Sequence, residues 1–204
     1  DVAFIVLLAG VGVPAEDLMV RQASLIMKAN GATDDVVKVN ETAQREMFAI
    51  VRAEKDPEVA EPKLREVGDA LMKQLAALDP ALAEAGKAGI EGSVQMVNSP
   101  WFRYWLAFDP AATLKRVQVP VLALNGSLDL QVDPKQNLPA IEKALREGGN
   151  QDVTVEELPG LNHLFQSATT GSPTEYATIE ETMAPVAMKK ISDWILARTS
   201  AQRK

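Results

Sequence analysis

The sequence predicts an α/β fold carrying a helical insertion, and three observations predict it. Residues 2–9, Val-Ala-Phe-Ile-Val-Leu-Leu-Ala, are apolar without the alternation of a half-exposed strand. That is the pattern of a strand covered on both faces, as in a parallel sheet. Residues 15–110 then carry helical periodicity with no strand alternation. Residues 111–204 read strand, helix, strand, helix, the order of a parallel sheet with crossover helices.

The elements follow in order. The first strand ends in the loop Gly10-Val11-Gly12-Val13-Pro14. A helix starts at Ala15, with Leu18, Val20, Leu25, Ile26 and Met27 at helical offsets, and Asn30-Gly31 stops it. Thr33-Asp34-Asp35 caps a second helix running to about Lys55, whose apolar face holds Val36, Val37, Val39, Met47, Ile50 and Val51. Asp56-Pro57 breaks it. A third helix spans 62–78, on Leu64, Val67, Leu71, Met72, Leu75 and Leu78, and Asp79-Pro80 stops it. Residues 81–88 form a short helix, and 90–97 fit helix or strand. Asn98-Ser99-Pro100 opens the aromatic stretch 101–108, closed by Asp109-Pro110. These aromatics are expected to pack into a core or lid, and Arg103 to snorkel or to pair with an acid. Residues 119–125 form a short apolar strand. Asp133-Pro134 caps and opens a helix over 134–147. Residues 153–158 are a strand, and 179–197 a terminal amphipathic helix with Met183, Val186, Ile191, Trp194, Ile195 and Leu196 on its buried side. The organisation expected is therefore a core strand and loop over 1–14, a helical lid or cap over 15–110, and an α/β core over 111–204.

Composition narrows the function. The formal net charge is −7, which repels phosphate backbones and argues against nucleic acid as a partner. There is no cysteine and one histidine, so disulfides, thiolate metal sites and a cysteine nucleophile are excluded, and no metal or organic cofactor is implied. The opening apolar run has no basic flank of the signal-peptide kind and is too short to span a membrane. A Cys-free chain is at home in either redox environment, so the compartment stays open between cytoplasmic and exported.

Two polar residues stand where ligands of open α/β sheets bind, beyond the carboxyl ends of strands. Asp129 follows the strand 119–125 in Gly126-Ser127-Leu128-Asp129. His163 follows the strand 153–158 in Pro159-Gly160-Leu161-Asn162-His163. A helix and a strand lie between them, so adjacent parallel strands would bring both loops to one sheet edge. The pair has a chemical logic. A carboxylate holds one imidazole tautomer and stabilises the imidazolium that forms when the ring takes a nucleophile's proton. Asn137 is expected to buttress the Asp loop.

The segments GSLDLQVDP and PGLNHLFQ, each after a strand, resemble the C-terminal end of the α/β-hydrolase fold, where the acid follows the seventh strand and the histidine the eighth. DVAFIVLLAG resembles the sixth strand, and SPWFRYWLAFDPAATLKRVQVPVLALNG the return from lid to core in esterase-like and serine-aminopeptidase-like members. The resemblance spans nearly the whole chain. It implies a serine hydrolase of carboxylic esters or similar acyl substrates, with Asp129 and His163 as catalytic residues. Aminopeptidase, thioesterase, lactonase and C–C hydrolase chemistry, or a non-catalytic binding module, are the alternatives.

One motif of that family is missing. Its nucleophile lies in a G-x-S-x-G elbow, and Gly92-Ser93-Val94, Gly126-Ser127-Leu128 and Gly171-Ser172-Pro173 all lack the second glycine. The chain is accordingly expected to be a piece of a longer polypeptide, a fragment or a processed chain, whose N-terminal portion supplies the serine and the oxyanion hole. Its strand edge along 2–9 would be bare alone, so stability is expected only with that portion.

Overall fold

A computed structural model of the chain describes residues 2–199. Asp1 and residues 200–204, the outer ends of the predicted segments 1–14 and 111–204, lie outside the described residues. The chain divides into two compact units: residues up to Val13 together with those from Asp109 onward, and Pro14–Phe108.

The first unit is built on three parallel strands, β1 (Ile5–Leu8), β2 (Val121–Gly126) and β3 (Val153–Leu158), in the order β1-β2-β3. Ile5 pairs with Val121, and Val121 with Val153. Side chains alternate between two cores. Ile5, Leu7, Val121, Ala123 and Val155 meet Leu138, Ile141 and Leu145 of helix α7 (Pro134–Glu147). Val6, Leu122, Leu124 and Leu158 meet Ala187 and Trp194 of helix α8 (Pro185–Thr199). Covering both faces is what an unbroken apolar strand requires. Each large side chain so buried on β2 stabilises the fold by about 1.5–3 kcal/mol.

The sheet departs from the sequence reading in three places. β1 is shorter than 2–9, because its ladder starts where Ile5 N–H donates to the carbonyl of Pro120 (2.9 Å) and ends where Ala9 N–H donates to Leu124 (2.8 Å). It is half-buried rather than fully buried, with Leu8 41% exposed, since only one strand flanks it among the described residues. The helix expected over 179–197 begins only at Pro185, after a 3-10 turn at Pro173–Thr178. Its inner face is therefore Ala187, Ile191, Trp194 and Ile195, at offsets of four, seven and eight. Val186 and Leu196 fall off that face and are exposed.

The second unit holds α1 (Ala15–Ala29), α2 (Asp34–Ala53), α3 (Pro57–Leu78), α4 (Pro80–Asn98) and α5 (Pro100–Ala107). Its core gathers Phe48, Leu64, Leu71, Val94 and Phe102. The Asp-Pro and Ser-Pro pairs read as breaks are also starts. Asp56, Asp79 and Ser99 accept hydrogen bonds from the N–H groups of Glu58, Ala81 and Phe102, and each is followed by a proline at the first helical position. Asp109-Pro110 opens α6 (Pro110–Leu114) of the first unit in the same way. Helix α3 consequently starts at Pro57, and Pro62 lies inside it at the cost of one backbone hydrogen bond. The 90–97 stretch is helical, as part of α4.

The aromatic stretch is only partly core. Phe102 is buried, whereas Trp101 and Tyr104 are 65% and 71% exposed, because α5 turns a single face inward. Arg103 pairs with no acid among the described residues. Its guanidinium donates to the carbonyls of Val51 (3.1 Å), Glu54 (2.6 Å) and Asn98 (3.1 Å) and to Asn98 Oδ1 (2.6 Å), closing off the last turn of α2. No helix among the described residues is long and apolar enough to cross a membrane.

Candidate active site

The loops after β2 and β3 are joined along their lengths. Ser127 N–H donates to the carbonyl of Leu158 (2.9 Å) and Leu128 N–H to that of Leu161 (2.9 Å). In return Gly160 N–H donates to Ser127 Oγ (2.8 Å). The approach is close enough that β2 has to end in glycine: a Cβ on Gly126 would lie 2.1 Å from the Leu161 carbonyl oxygen.

This junction brings Asp129 and His163 together. His163 Nδ1 lies 2.9 Å from Asp129 Oδ2. The carboxylate is 1% exposed and its acceptor sites are occupied. Oδ1 accepts from the backbone N–H groups of Gln131 (2.9 Å) and Val132 (2.8 Å), and Oδ2 also accepts from Asn125 Nδ2 (3.1 Å). A buried carboxylate is tolerable only with such a complement of donors. The imidazole is partly accessible, its side chain 26% exposed, and Nε2 has no hydrogen-bond partner among the described residues.

The residues that fix this geometry were not singled out by their sequence. Asn125, wholly buried, also donates to the carbonyl of Val132 (2.8 Å) and so closes the Asp loop upon itself. Asn162, equally buried, accepts from the N–H groups of Leu164 (2.9 Å) and Gln166 (3.0 Å), an Asx-type turn that carries His163. Phe165 completes that turn with φ of 59°, a strained left-handed conformation for a bulky residue. It is held there by its buried ring and by the Ala184 N–H on its carbonyl (2.8 Å). The readable signal was an asparagine ending an apolar strand and another just before the sole histidine. Asn137, expected to brace the Asp loop, donates to the carbonyl of Asp133 at the end of that loop (3.1 Å) and also accepts from Gly12 N–H (2.9 Å), fixing the loop after β1.

On the outer side of the Asp loop Gln131 Nε2 donates to the Tyr176 hydroxyl (2.8 Å). Burial pushes the Tyr176 phenol above its ordinary range; the Gln131 hydrogen bond opposes the rise and the negative charge of Asp129 adds to it. Among the described residues no three His, Asp or Glu side chains converge into a group able to hold a metal ion.

The serines weighed as nucleophiles are engaged elsewhere. Ser93 Oγ donates to the carbonyl of Gly89 (2.9 Å), Ser127 Oγ accepts from Gly160 N–H (2.8 Å), and Ser172 Oγ shares a hydrogen bond with Thr174 Oγ1 (2.9 Å). Chemically, then, the arrangement is an imidazole held at Nδ1 by a buried carboxylate, with its other nitrogen left to exchange a proton. Comparison with protein-family models, curated proteins and solved structures found no match to this chain.

Proposed function

We propose that the chain carries the acid and the base of a serine hydrolase of the α/β-hydrolase type, acting on carboxylic esters or similar acyl substrates. The observation that supports this reading is the 2.9 Å contact between His163 Nδ1 and the fully buried, fully donated-to Asp129 carboxylate, at the carboxyl ends of adjacent parallel strands. Asp129 holds the proton on Nδ1, which leaves the Nε2 lone pair outward as a base. In the proposed cycle Nε2 takes the proton of a serine hydroxyl as its oxygen attacks the ester carbonyl. The imidazolium then returns that proton to the departing alkoxide as the C–O bond breaks. A water deprotonated by the same nitrogen next cleaves the acyl-serine and restores the serine.

In this reading β1–β3 correspond to the sixth to eighth strands of the hydrolase sheet. The helical unit, inserted in sequence between β1 and β2, is the lid. The serine and the oxyanion-hole donors come from an N-terminal portion of the same protein. No cofactor takes part.

The test uses the full-length protein that contains this chain, with a short-chain p-nitrophenyl ester. His163→Ala is expected to lower kcat about 10³-fold or more, and Asp129→Asn to do comparable damage by releasing the tautomer. Near-normal turnover in His163→Ala ends the proposal. A fluorophosphonate probe is expected to label the full-length protein and not the 204-residue chain alone.

A further inference from the structure

The helical unit carries a groove of about 520 Å³ between the end of α2 and α5, remote in sequence from the Asp129–His163 pair and independent of its reading. Arg52, Lys55 and Arg103 line it, and no acidic residue does. In a chain whose formal net charge is −7, that is a local reversal of sign. The neighbours of these cations compensate little of it. Arg103 is half-buried, yet it donates only to the carbonyls of Val51, Glu54 and Asn98 and to the Asn98 amide oxygen, which carry partial charge alone. Lys55 Nζ donates to the Arg52 carbonyl (3.1 Å) and pairs with no carboxylate among the described residues, so two of its three N–H groups lack a protein acceptor. Arg52 pairs with Glu16, a carboxylate it shares with Arg45. Glu54, between Arg52 and Lys55 in sequence, gives its carboxylate to Lys63. Tyr104, Leu106 and Ala107 add an apolar side to the groove.

We propose that this groove binds a small organic carboxylate, its head group on Lys55, Arg52 and Arg103 and its apolar body against Tyr104. Three features define that class. The sign of the lining selects an anion, because a cation would meet like charge and a neutral molecule would leave the open ammonium and guanidinium N–H groups to water. The geometry of the donors suits a carboxylate, whose planar pair of oxygens accepts from a guanidinium fork and an ammonium together. The mixed lining calls for an apolar body: an inorganic anion would use the charges and leave the exposed Tyr104 ring uncovered. The volume lies within the range of about 300–1,000 Å³ usual for small-molecule sites.

Benzoate, benzamide and acetate are the probes. Benzamide keeps the shape of benzoate without its charge, and acetate keeps the charge without the ring. The chain has two tyrosines, Tyr104 in the groove and Tyr176 in the sheet unit, so ring-labelled tyrosine reports both units in one NMR titration. Benzoate is expected to shift Tyr104 and leave Tyr176 unmoved. It is expected to bind about fivefold or more tightly than either benzamide or acetate, and to weaken as added salt screens the groove. Arg103 is a poor position to vary, since its loss would strand the carbonyls that end α2. Lys55 is exposed, and Lys55→Gln is expected to weaken benzoate about threefold or more while leaving benzamide unchanged; Lys55→Arg is expected to restore it. Benzamide or acetate binding as tightly as benzoate overturns the proposal without recourse to any variant. So does a benzoate shift at Tyr176 in place of Tyr104, an affinity that Lys55→Gln leaves unchanged, or a loss that Lys55→Arg fails to restore.

Discussion

A methyl group added to Gly126 would sit 2.1 Å from the carbonyl oxygen of Leu161, and one added to Gly171 would sit 1.9 Å from that of Leu128. One added to Gly89 or Gly92 of α4 would meet nothing within 4 Å. The same residue type therefore has opposite meanings at these two pairs of positions. Around the Asp129–His163 pair glycine lets one backbone lie directly on another, and the loops are fixed by main-chain contact. At Gly89 and Gly92 glycine only loosens a helix, and what organises that unit is apolar side-chain packing. Backbone lies on backbone at the Asp129–His163 loops, whereas the exposed side of α4 at Gly89 and Gly92 has room to spare.

The contrast can be broken by substitution, beginning with the largest effect. Gly126→Ala is expected to cost about 3 kcal/mol or more and to part the two loops, since backbone rather than a movable side chain stands in the way. Denaturant unfolding measures the loss, and a change below about 1 kcal/mol would show that the loops yield easily. Asn137→Ala is expected to cost about 1–3 kcal/mol by leaving the Gly12 N–H buried and unpaired. Hydrogen exchange resolved by peptide should place that loss in the loop after β1. Gly89→Ala carries the opposite sign, a gain of about 0.5–1 kcal/mol from helix propensity. A destabilised Gly89→Ala would mean that α4 is packed there after all.

The smallest effect concerns pH. Tyr176 titrates above its ordinary range in the folded chain, so the native state holds that proton more tightly than the unfolded one. The resulting stability is present below the ordinary phenol value of about 10 and is lost as pH rises through the folded value. Tyr176→Phe is expected to flatten the alkaline limb of a stability-against-pH curve. An unchanged limb would place the titration elsewhere.

The α/β class was legible because β1 and β2 are apolar on both faces and helices separate the later strands. The Asp129–His163 contact was legible because each residue follows a strand and one helix–strand unit separates them. Other features were hidden for physical reasons. Asp56-Pro57 and Asp79-Pro80 read as stops, yet a cap followed by proline starts a helix as readily as it ends one, and Pro62 looked like a beginning while standing inside α3. Leu196 and Val186 suggest burial by residue type, but the phase of α8 was set by its start at Pro185. The asparagines that position the site, Asn125 and Asn162, were unremarked because their value lies in backbone groups that only the fold brings near.

The pairing of β1 with β2 has a consequence in time. Ile5 meets Val121, so the ladder cannot begin until the whole helical unit has left the ribosome. At about 5–20 residues per second, β1 waits on the order of 6–23 s for its neighbour. The helical unit, held by contacts among successive helices, can fold during that interval, while the sheet has to close its longest loop last. Conditions that slow or pause synthesis within residues 15–110 lengthen the interval before β1 can pair with β2.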